Sequence, residues 1–389
     1  MNELYSDYQV KRISPEGQDF FFGYYDLNAY DKSGKKHLCN IAPFIDKIPE
    51  KEDALKLGMI DVETGKVDVF AETTAWNFQQ GALLQWHNTK ENVVFYNERN
   101  GNEYVTVQHN LSTGQKTYSP AAANISRDGK YGLGISFNRI FDFRPGYGYA
   151  GVADRNYSCG IPEDDGVFLI NIEQGTQKLI LNYKDMLKMS GLKEYENEKF
   201  LINHITFNPS GEKFLLLLRN FPKPKTGWNT TMMISDVNGN AYTLILETFI
   251  SHYYWLDNDN IVVYCNINGK GGVYIINSVT GEKREIVSEH FQDNRDDIHC
   301  IASPDGRYII GDCYPFKSPW RKVFLIDMET EETREILRAS TIIPQYDDIR
   351  CDLHVRWRPD GKAFSFDSTH TGRREIYELE FGSISGGAK

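Results

Sequence analysis

The feature that most constrains the fold of this chain is a hairpin pattern that recurs seven times along its 389 residues. An apolar run, a tight turn and a second run stand at 57–70, 105–118, 167–181, 231–246, 273–287 and 323–337, and a seventh copy begins at 374–381. Before each hairpin comes another strand–turn–strand unit, with turns at 31–34, 87–90, 126–129, 208–211, 256–259, 303–306 and 358–361. The Pro, Asn, Asp and Gly of these turns favour the required dihedral angles. Seven units of four strands, about 40–55 residues each, predict an all-β seven-bladed β-propeller.

The two ends of the chain are predicted to meet in the last blade. The seventh repeat has no fourth strand, and the run DYQVKRIS at 7–14 precedes the first inner strand without another role. We expect this run to complete the seventh blade, because a closed ring leaves no bare sheet edge. No Pro/Ser-rich linker divides the chain, so we predict one domain over 1–389, with a large insertion at about 138–166. The alternative of two β-sandwiches fits the repeat count less well.

Composition narrows the classes of partner. The formal net charge of -11 argues against a nucleic-acid surface. No run approaches the ~18 apolar residues of a membrane span, and the N-terminal sequence lacks an apolar signal region. We therefore expect a cytoplasmic protein without a membrane partner, and the sequence leaves its oligomeric state open. The 23 Tyr and 22 Phe favour strands, and exposed Tyr also suits stacking on sugar rings.

Four of the nine histidines occupy one repeat position, at the start of the innermost strand of blades 4 to 7. His204, His299 and His354 each precede a turn glycine by seven residues, and His252 aligns with them. Apolar residues follow at alternate positions, which places each His on the opposite side of its strand. Blades 1 to 3 carry Leu27, Leu83 and Ala122 at this position instead. The clustering predicts a site at the channel mouth, since His is a common metal ligand and acid/base.

Long loops on the same face supply further polar groups. Connections between second and third strands, and between successive blades, share the face on which the histidines lie, and long loops on a rigid scaffold usually carry function. Arg on such a rim suits a ligand that bears a carboxylate, although a single Arg is more often a solvated surface charge. The candidate substrate-binding residues are Gln80, Arg99, Arg139, Tyr149, Tyr314 and Arg321.

The seven repeats, the SPDG and RPDG turns and the His at successive strand heads resemble the oligogalacturonate lyases. That family comprises cytoplasmic seven-bladed propellers that bind a divalent metal, typically manganese, and split short uronate oligosaccharides by β-elimination. The resemblance implies an acidic oligosaccharide as the substrate and a divalent cation as the cofactor, manganese first, with calcium or magnesium as alternatives. It also implies that His299 and His354 bind the metal and that His204 lies near the substrate.

The chain departs from this family at three points. The family has another His two residues before the last one, where this chain has Asp352, a residue that can still ligate Mn²⁺ or Ca²⁺. The resemblance thus implies a metal site of His299, His354 and Asp352, with His252 as a further candidate. The family's Gln ligand has no counterpart, because Gln345 is out of register. Its catalytic Arg base matches no motif here.

For the chemistry, an elimination needs a base beside the metal-bound uronate. The candidates for base or acid are His204, Arg219, Arg144 and Tyr147, and His204 is the first choice because its reference pKa of ~6.5 suits the task. A glycoside hydrolase is the first alternative and needs two carboxylates, for which Asp26, Asp312, Asp352 and Asp367 are available. A propeller that only binds carbohydrate or protein is the second. No GxSxG motif supports a serine peptidase.

Overall fold

Seven antiparallel sheets follow one another along the chain in the computed structural model, and each forms one blade of a propeller. The structure describes residues 3–190, 198–220, 229–291, 297–313 and 318–381. Blade 1 has the strands Asp19–Phe21, Lys36–Ala42, Leu55–Asp61 and Val67–Thr73. Blade 2 has Gln85–Trp86, Val93–Asn100, Glu103–Asn110 and Lys116–Pro120. Blade 3 has Asn124–Ile125, Tyr131–Gly134, Gly166–Asn171 and Thr176–Asn182. Blade 4 has the strands Phe200–Phe207, Lys213–Asn220, Asn229–Asp236 and Ala241–Thr248. Blade 5 has Ile250–Trp255, Asn260–Ile267, Lys270–Asn277 and Lys283–Ile286.

The N-terminal segment joins blades 6 and 7. Blade 6 has the strands Ile298–Ala302, Tyr308–Cys313, Trp320–Asp327 and Thr333–Ser340, and blade 7 has Arg356–Trp357, Ala363–Ser368 and Glu375–Glu380. The strand Gln9–Arg12 pairs antiparallel with Glu375–Glu380, which confirms the predicted closure of blade 7. The preceding strand Leu4–Tyr5 pairs with the outer strand of blade 6 and gives that sheet a fifth strand. One segment therefore holds two neighbouring blades together.

Helical structure is sparse. Among the described residues, the α-helices are Phe137–Phe141 and Tyr183–Ser190, and the 3₁₀ turns are Glu289–Phe291 and Asp347–Ile349. Within the described ranges, none of the helices has the length and apolar character needed to cross a membrane. Phe137–Phe141 opens the long insertion of blade 3, whose Arg139 is fully buried and ion-pairs with Asp154.

The predicted turns between the inner strands of a blade have the expected conformation. Gly34, Gly129, Gly211, Gly306 and Gly361 all have φ between 68° and 76°. In each case the glycine N–H donates to the carbonyl three residues earlier, at 2.8–3.0 Å. Glycine adopts this left-handed conformation without the steric cost that a Cβ imposes. The same local geometry thus repeats around the ring because the same turn residues do.

Blade-to-blade contacts also repeat. Trp86, Trp255 and Trp357 each lie three positions after the repeat position of the histidines, in blades 2, 5 and 7. Each indole N–H donates to a backbone carbonyl of the preceding blade, those of Ala29, Thr206 and Ile301, at 3.1, 3.4 and 3.3 Å. All three carbonyls lie two positions after the repeat position in their own blade. This register fixes the inner strands at equal heights around the channel.

Candidate functional site

The four strand-head histidines converge at one end of the channel, and all four are buried. The ring centroids of His252 and His299 lie 3.9 Å apart, and those of His299 and His354 lie 4.6 Å apart. The His204 ring lies 5.8 Å from His252 on the other side. The equal register of the inner strands brings together side chains that are about fifty residues apart in sequence.

Blade 1 fills the space between these histidines. Its innermost strand breaks between Phe21 and Tyr30, and the excursion carries Tyr24 and Tyr25 into the channel. The Tyr24 hydroxyl lies 3.0 Å from His204 Nε2, and the two rings stack at 5.1 Å. Tyr25 reaches across to donate to the carbonyl of Tyr253 at 2.7 Å. Leu27, predicted to stand at a strand head, instead lies within this excursion.

A glycine allows the excursion to approach its neighbours. Gly23 has φ of +124°, and a Cβ there would come within 2.9 Å of the Gln80 backbone. Its carbonyl accepts a hydrogen bond from His354 Nδ1 at 2.7 Å. His354 itself has φ of 44°, and Leu83, at the equivalent position of blade 2, has φ of 54°. Non-glycine residues in this region are uncommon and are held there by their surroundings.

Among the described residues, one group can hold a metal ion: ligand atoms of His299, Asp352 and His354 all lie within 4.8 Å of one another. The hydrogen bond to Gly23 requires the Nδ1–H tautomer of His354, so its Nε2 carries the lone pair. That Nε2 is buried and has no hydrogen-bond partner in the described part of the chain. Two imidazoles and a carboxylate suit Mn²⁺ and related divalent cations. The residues therefore fit a divalent cation, although ligand atoms about 2.1 Å from one ion require a modest contraction.

Carboxylates behind two of the histidines orient their rings. His299 Nδ1 lies 3.2 Å from Asp312 Oδ2, and Asp312 also accepts the backbone N–H groups of Leu353 and Val355. His252 Nδ1 lies 2.9 Å from Asp297 Oδ1. Such carboxylate–imidazole pairs fix which ring nitrogen faces a ligand and raise its basicity.

Protonation differs among the four histidines. Burial, together with Arg219 and His252, holds the pKa of His204 well below its usual value, and burial lowers the pKa of His252 to about 4. Burial and the neighbouring His299 likewise depress the pKa of His354. Burial alone would lower the pKa of His299, but Asp312 and Asp352 raise it overall. Three of the four rings are thus neutral near pH 7.

Arginines surround the histidines. Arg144 donates to Asn203 Oδ1 at 2.8 Å and stacks on the Tyr147 ring at 4.2 Å, and Arg219 donates to the carbonyl of Ile250 at 3.1 Å. Burial and the nearby Arg144 lower the pKa of Arg219 to about 10. Arg321 and Arg350 contact Asp352 at 3.7 and 2.8 Å. Burial would raise the pKa of Asp352, but these two arginines lower it more. These four arginines are groups that can pair with an anionic ligand.

The structure brings many of the predicted residues to this site. The four histidines, Asp352, Arg144, Tyr147, Arg219 and Arg321 lie around it, and Gln80 lines the adjoining cavity with Tyr24 and His204. His252 lies outside the group of residues that can hold a metal, although its ring is oriented by Asp297 as that of His299 is by Asp312.

Other predicted residues serve the scaffold. Arg139 is fully buried and donates to the carbonyls of Phe200 and Gly160, so it ties the insertion to blade 4 instead of facing a ligand. Tyr149 is buried with its ring stacked on Phe137 at 4.3 Å. Arg99 donates to Thr74 and to the Lys51 carbonyl. Tyr314 lies outside the described residues.

Sequence reasoning missed Tyr24, Arg350 and Asp297. A signal for Asp297 was present, because DIH at 297–299 and DLH at 352–354 place an Asp two residues before the His in blades 6 and 7. Residues two apart share one side of a strand. Tyr24 gave no such signal, since it enters from an irregular segment of a different blade.

The fold is that of several solved propellers. No protein-family model and no curated protein matches the chain. A solved oligogalacturonate lyase in complex with manganese matches with a TM-score of 0.72 at 14% identity, over 98% of this chain and 96% of that one. An oligogalacturonate lyase from Vibrio parahaemolyticus matches with a TM-score of 0.69 at 14% identity, over 99% and 97%. The tricorn protease matches with a TM-score of 0.52 at 11% identity, over 94% of this chain and 34% of that one. The chain therefore has the seven-bladed propeller fold of the oligogalacturonate lyase structures.

Proposed function

We propose that this protein is a metal-dependent lyase that cleaves uronate-containing oligosaccharides by β-elimination. The observation that carries the proposal is the buried group of His299, Asp352 and His354, with Arg321 and Arg350 in contact with Asp352. The similarity to a manganese complex of an oligogalacturonate lyase over nearly the whole chain supports manganese as the cation. A cation bound by these residues supplies positive charge that polarises the uronate carboxylate and so acidifies the C–H bond beside it.

The residues of this chain supply the proton transfers. The base we favour is neutral His204 acting through Tyr24, whose hydroxyl lies 3.0 Å from His204 Nε2. The phenol oxygen takes the proton of the carbon beside the carboxylate while passing its own proton to His204. The C–H bond and the bond to the 4-linked oxygen break, and a C=C bond forms. The leaving oxygen takes a proton from water, and protonated His204 returns its proton to the solvent.

Arg219 is the second candidate base. The resembling family uses an arginine in this role, and the lowered pKa of about 10 leaves on the order of one guanidinium in a thousand neutral at pH 7. The two candidates differ in their pH dependence, because an arginine base gains activity up to about pH 10 whereas a neutral histidine base does not.

Product analysis tests the reaction. The protein, loaded with Mn²⁺, is incubated with a panel of acidic oligosaccharides that includes oligogalacturonates, and the products are examined for a 4,5-unsaturated uronate by ultraviolet absorbance and mass. We expect unsaturated ends, and none from a His299→Ala, His354→Ala double variant. Elemental analysis of both proteins reports metal retention separately from activity.

The rival functions predict other products. Saturated ends would establish a hydrolase, although Asp312 and Asp367 are held by His299 and Arg356 in this structure, which leaves fewer carboxylates for that chemistry. Binding without cleavage across the whole panel would establish a carbohydrate-binding propeller. Either result would contradict the lyase proposal.

A further inference from the structure

Asp352 lies between the candidate metal group and two arginines. Its Oδ2 lies 2.8 Å from Arg350 Nε, and its Oδ1 lies 3.7 Å from Arg321 Nε. The side chain is fully buried, and neither oxygen accepts a well-aligned hydrogen bond from a described residue. The carboxylate is therefore held mainly by charge, and its lone pairs remain available to a cation.

A divalent cation and these guanidinium groups compete for the same carboxylate. An ion shared by His299, His354 and Asp352 would lie close to the Arg350 side chain in a buried site. Like charges repel strongly at such a distance and burial. We infer that Arg350 is the internal counter-ion of Asp352, that a divalent cation displaces its guanidinium, and that the displaced guanidinium then binds the carboxylate of the uronate. This inference rests on the proposed function for the cation and for the anionic ligand.

The surroundings of Arg350 fit this role. Its Nη2 donates to the Tyr147 hydroxyl at 3.2 Å, and the Tyr147 ring lies 5.5 Å from that of His204. Its Nη1 donates to the backbone carbonyl and the exposed carboxylate of Asp347, both at 3.2 Å. Arg350 and Tyr147 together thus lie between the metal group and the favoured base. Arginine recognises carboxylates with paired N–H donors, which a point charge cannot do.

The consequence is positive coupling between cation and anion. Each ligand binds more tightly when the other is present, because the cation displaces the Arg350 guanidinium from Asp352 and the anion then binds that guanidinium. Coupling between two ligands is reciprocal and commonly amounts to about 5- to 150-fold in affinity. We therefore expect galacturonate to tighten Mn²⁺ binding by at least about 5-fold.

Calorimetric titration of Mn²⁺ into the full chain, with and without D-galacturonate, tests the inference. The monosaccharide has no glycosidic bond, so turnover does not interfere. We expect Arg350→Gln to bind Mn²⁺ about 5-fold or more tightly than the wild type without galacturonate, and to lose the coupling. Arg350→Lys keeps the charge and should retain the wild-type Mn²⁺ affinity. Arg284→Gln, which breaks an exposed pair with Glu331, is the matched control.

The outcomes separate this inference from the proposed function. A folded Arg350→Gln variant with unchanged or weaker Mn²⁺ binding overturns the inference, and so does the absence of Mn²⁺ binding in both proteins. If Arg350→Gln does not fold, Arg321→Gln should show a smaller effect of the same sign, since its contact with Asp352 is longer; no effect would overturn the inference. Intact coupling without any unsaturated product would overturn the lyase proposal alone.

Discussion

Tyr24 is the residue whose position most changes the chemistry expected of the site. It comes from blade 1, yet its hydroxyl meets His204 of blade 4 and its ring lies 5.0 Å from that of His354. A tyrosine hydrogen-bonded to a neutral histidine forms a path for one proton. In the proposed reaction, we therefore expect Tyr24 and His204 to act together as the base.

We expect Tyr24→Phe to lower kcat about 10²- to 10⁴-fold, the usual size of a lost acid–base contribution, with Mn²⁺ affinity retained. The ring remains to pack against His204 and His354, so a purely structural role would leave kcat nearly unchanged. Steady-state kinetics on the cleaved oligosaccharide, together with Mn²⁺ titration, measure both quantities. An unchanged kcat would remove Tyr24 from the proton path.

His37 offers a residue-scale test of the packing between blades 1 and 7. It is fully buried, and its Nε2 lies 2.8 Å from the Ser365 hydroxyl. Burial, with a smaller effect of Arg356, lowers its pKa to about 3. The folded protein thus keeps this ring neutral at a pH where the unfolded chain protonates it.

As pH falls from about 6.5 towards 4, the unfolded state binds a proton that the folded state does not, so stability falls with pH. One such group contributes a slope of about 1.4 kcal/mol per pH unit. Denaturant unfolding between pH 7 and pH 4 should therefore show a shallower loss of stability in His37→Gln than in the wild type. If the free energy of unfolding falls equally with pH in the two proteins, the lowered pKa of His37 would be contradicted.

At the scale of the strand, the repeated Trp contact sets the heights of neighbouring blades. The indoles of Trp86, Trp255 and Trp357 use the same donor and the same carbonyl position in three blades. Because the strand heads carry the histidines, this contact also sets how closely those rings approach one another.

Trp357→Phe should destabilise the protein by about 0.5–1.5 kcal/mol, because it removes the indole hydrogen bond to the Ile301 carbonyl. Denaturant unfolding measures the loss. Trp320→Phe is the matched control, since that ring packs on Tyr5 at the outer edge of blade 6. Equal losses in the two variants would show that the bond between blades contributes nothing specific.

At the scale of the whole molecule, ring closure depends on a short N-terminal segment. The strand Gln9–Arg12 completes blade 7, and Arg12 pairs with Glu375 at 2.9 Å. Lys11 contacts Glu378, whose side chain is fully buried. Loss of this segment would expose the edge of the strand Glu375–Glu380. It would also remove a positively charged partner from each of Glu375 and Glu378.

Deletion of residues 1–12 should therefore cost more than about 4 kcal/mol, in the range of losses that disable a domain. Deletion of residues 1–6 removes only the pairing with blade 6 and should lower the midpoint of thermal unfolding by a few degrees. Circular dichroism melts of the two truncations provide the comparison. Similar melting of the 1–12 deletion and the intact chain would contradict closure by this strand.

The sequence by itself determined the repeat, the number of blades, the strand that closes the ring and the convergence of four histidines. These features follow from local rules, because turn glycines and period-two alternation act within about ten residues and then recur. Position in the repeat was enough to place His204, His252, His299 and His354 at one end of the channel.

Only the tertiary structure decided what surrounds those histidines. Tyr24 enters through an irregular excursion, and Arg350 meets Asp352 through a side-chain contact that no spacing predicts. Tertiary packing likewise buried Arg139 and Tyr149 in the scaffold, although both come from a loop that reads as a binding surface. The physical reason is that a closed ring joins blades distant in sequence, and the contacts across its channel depend on loop paths that no repeat encodes.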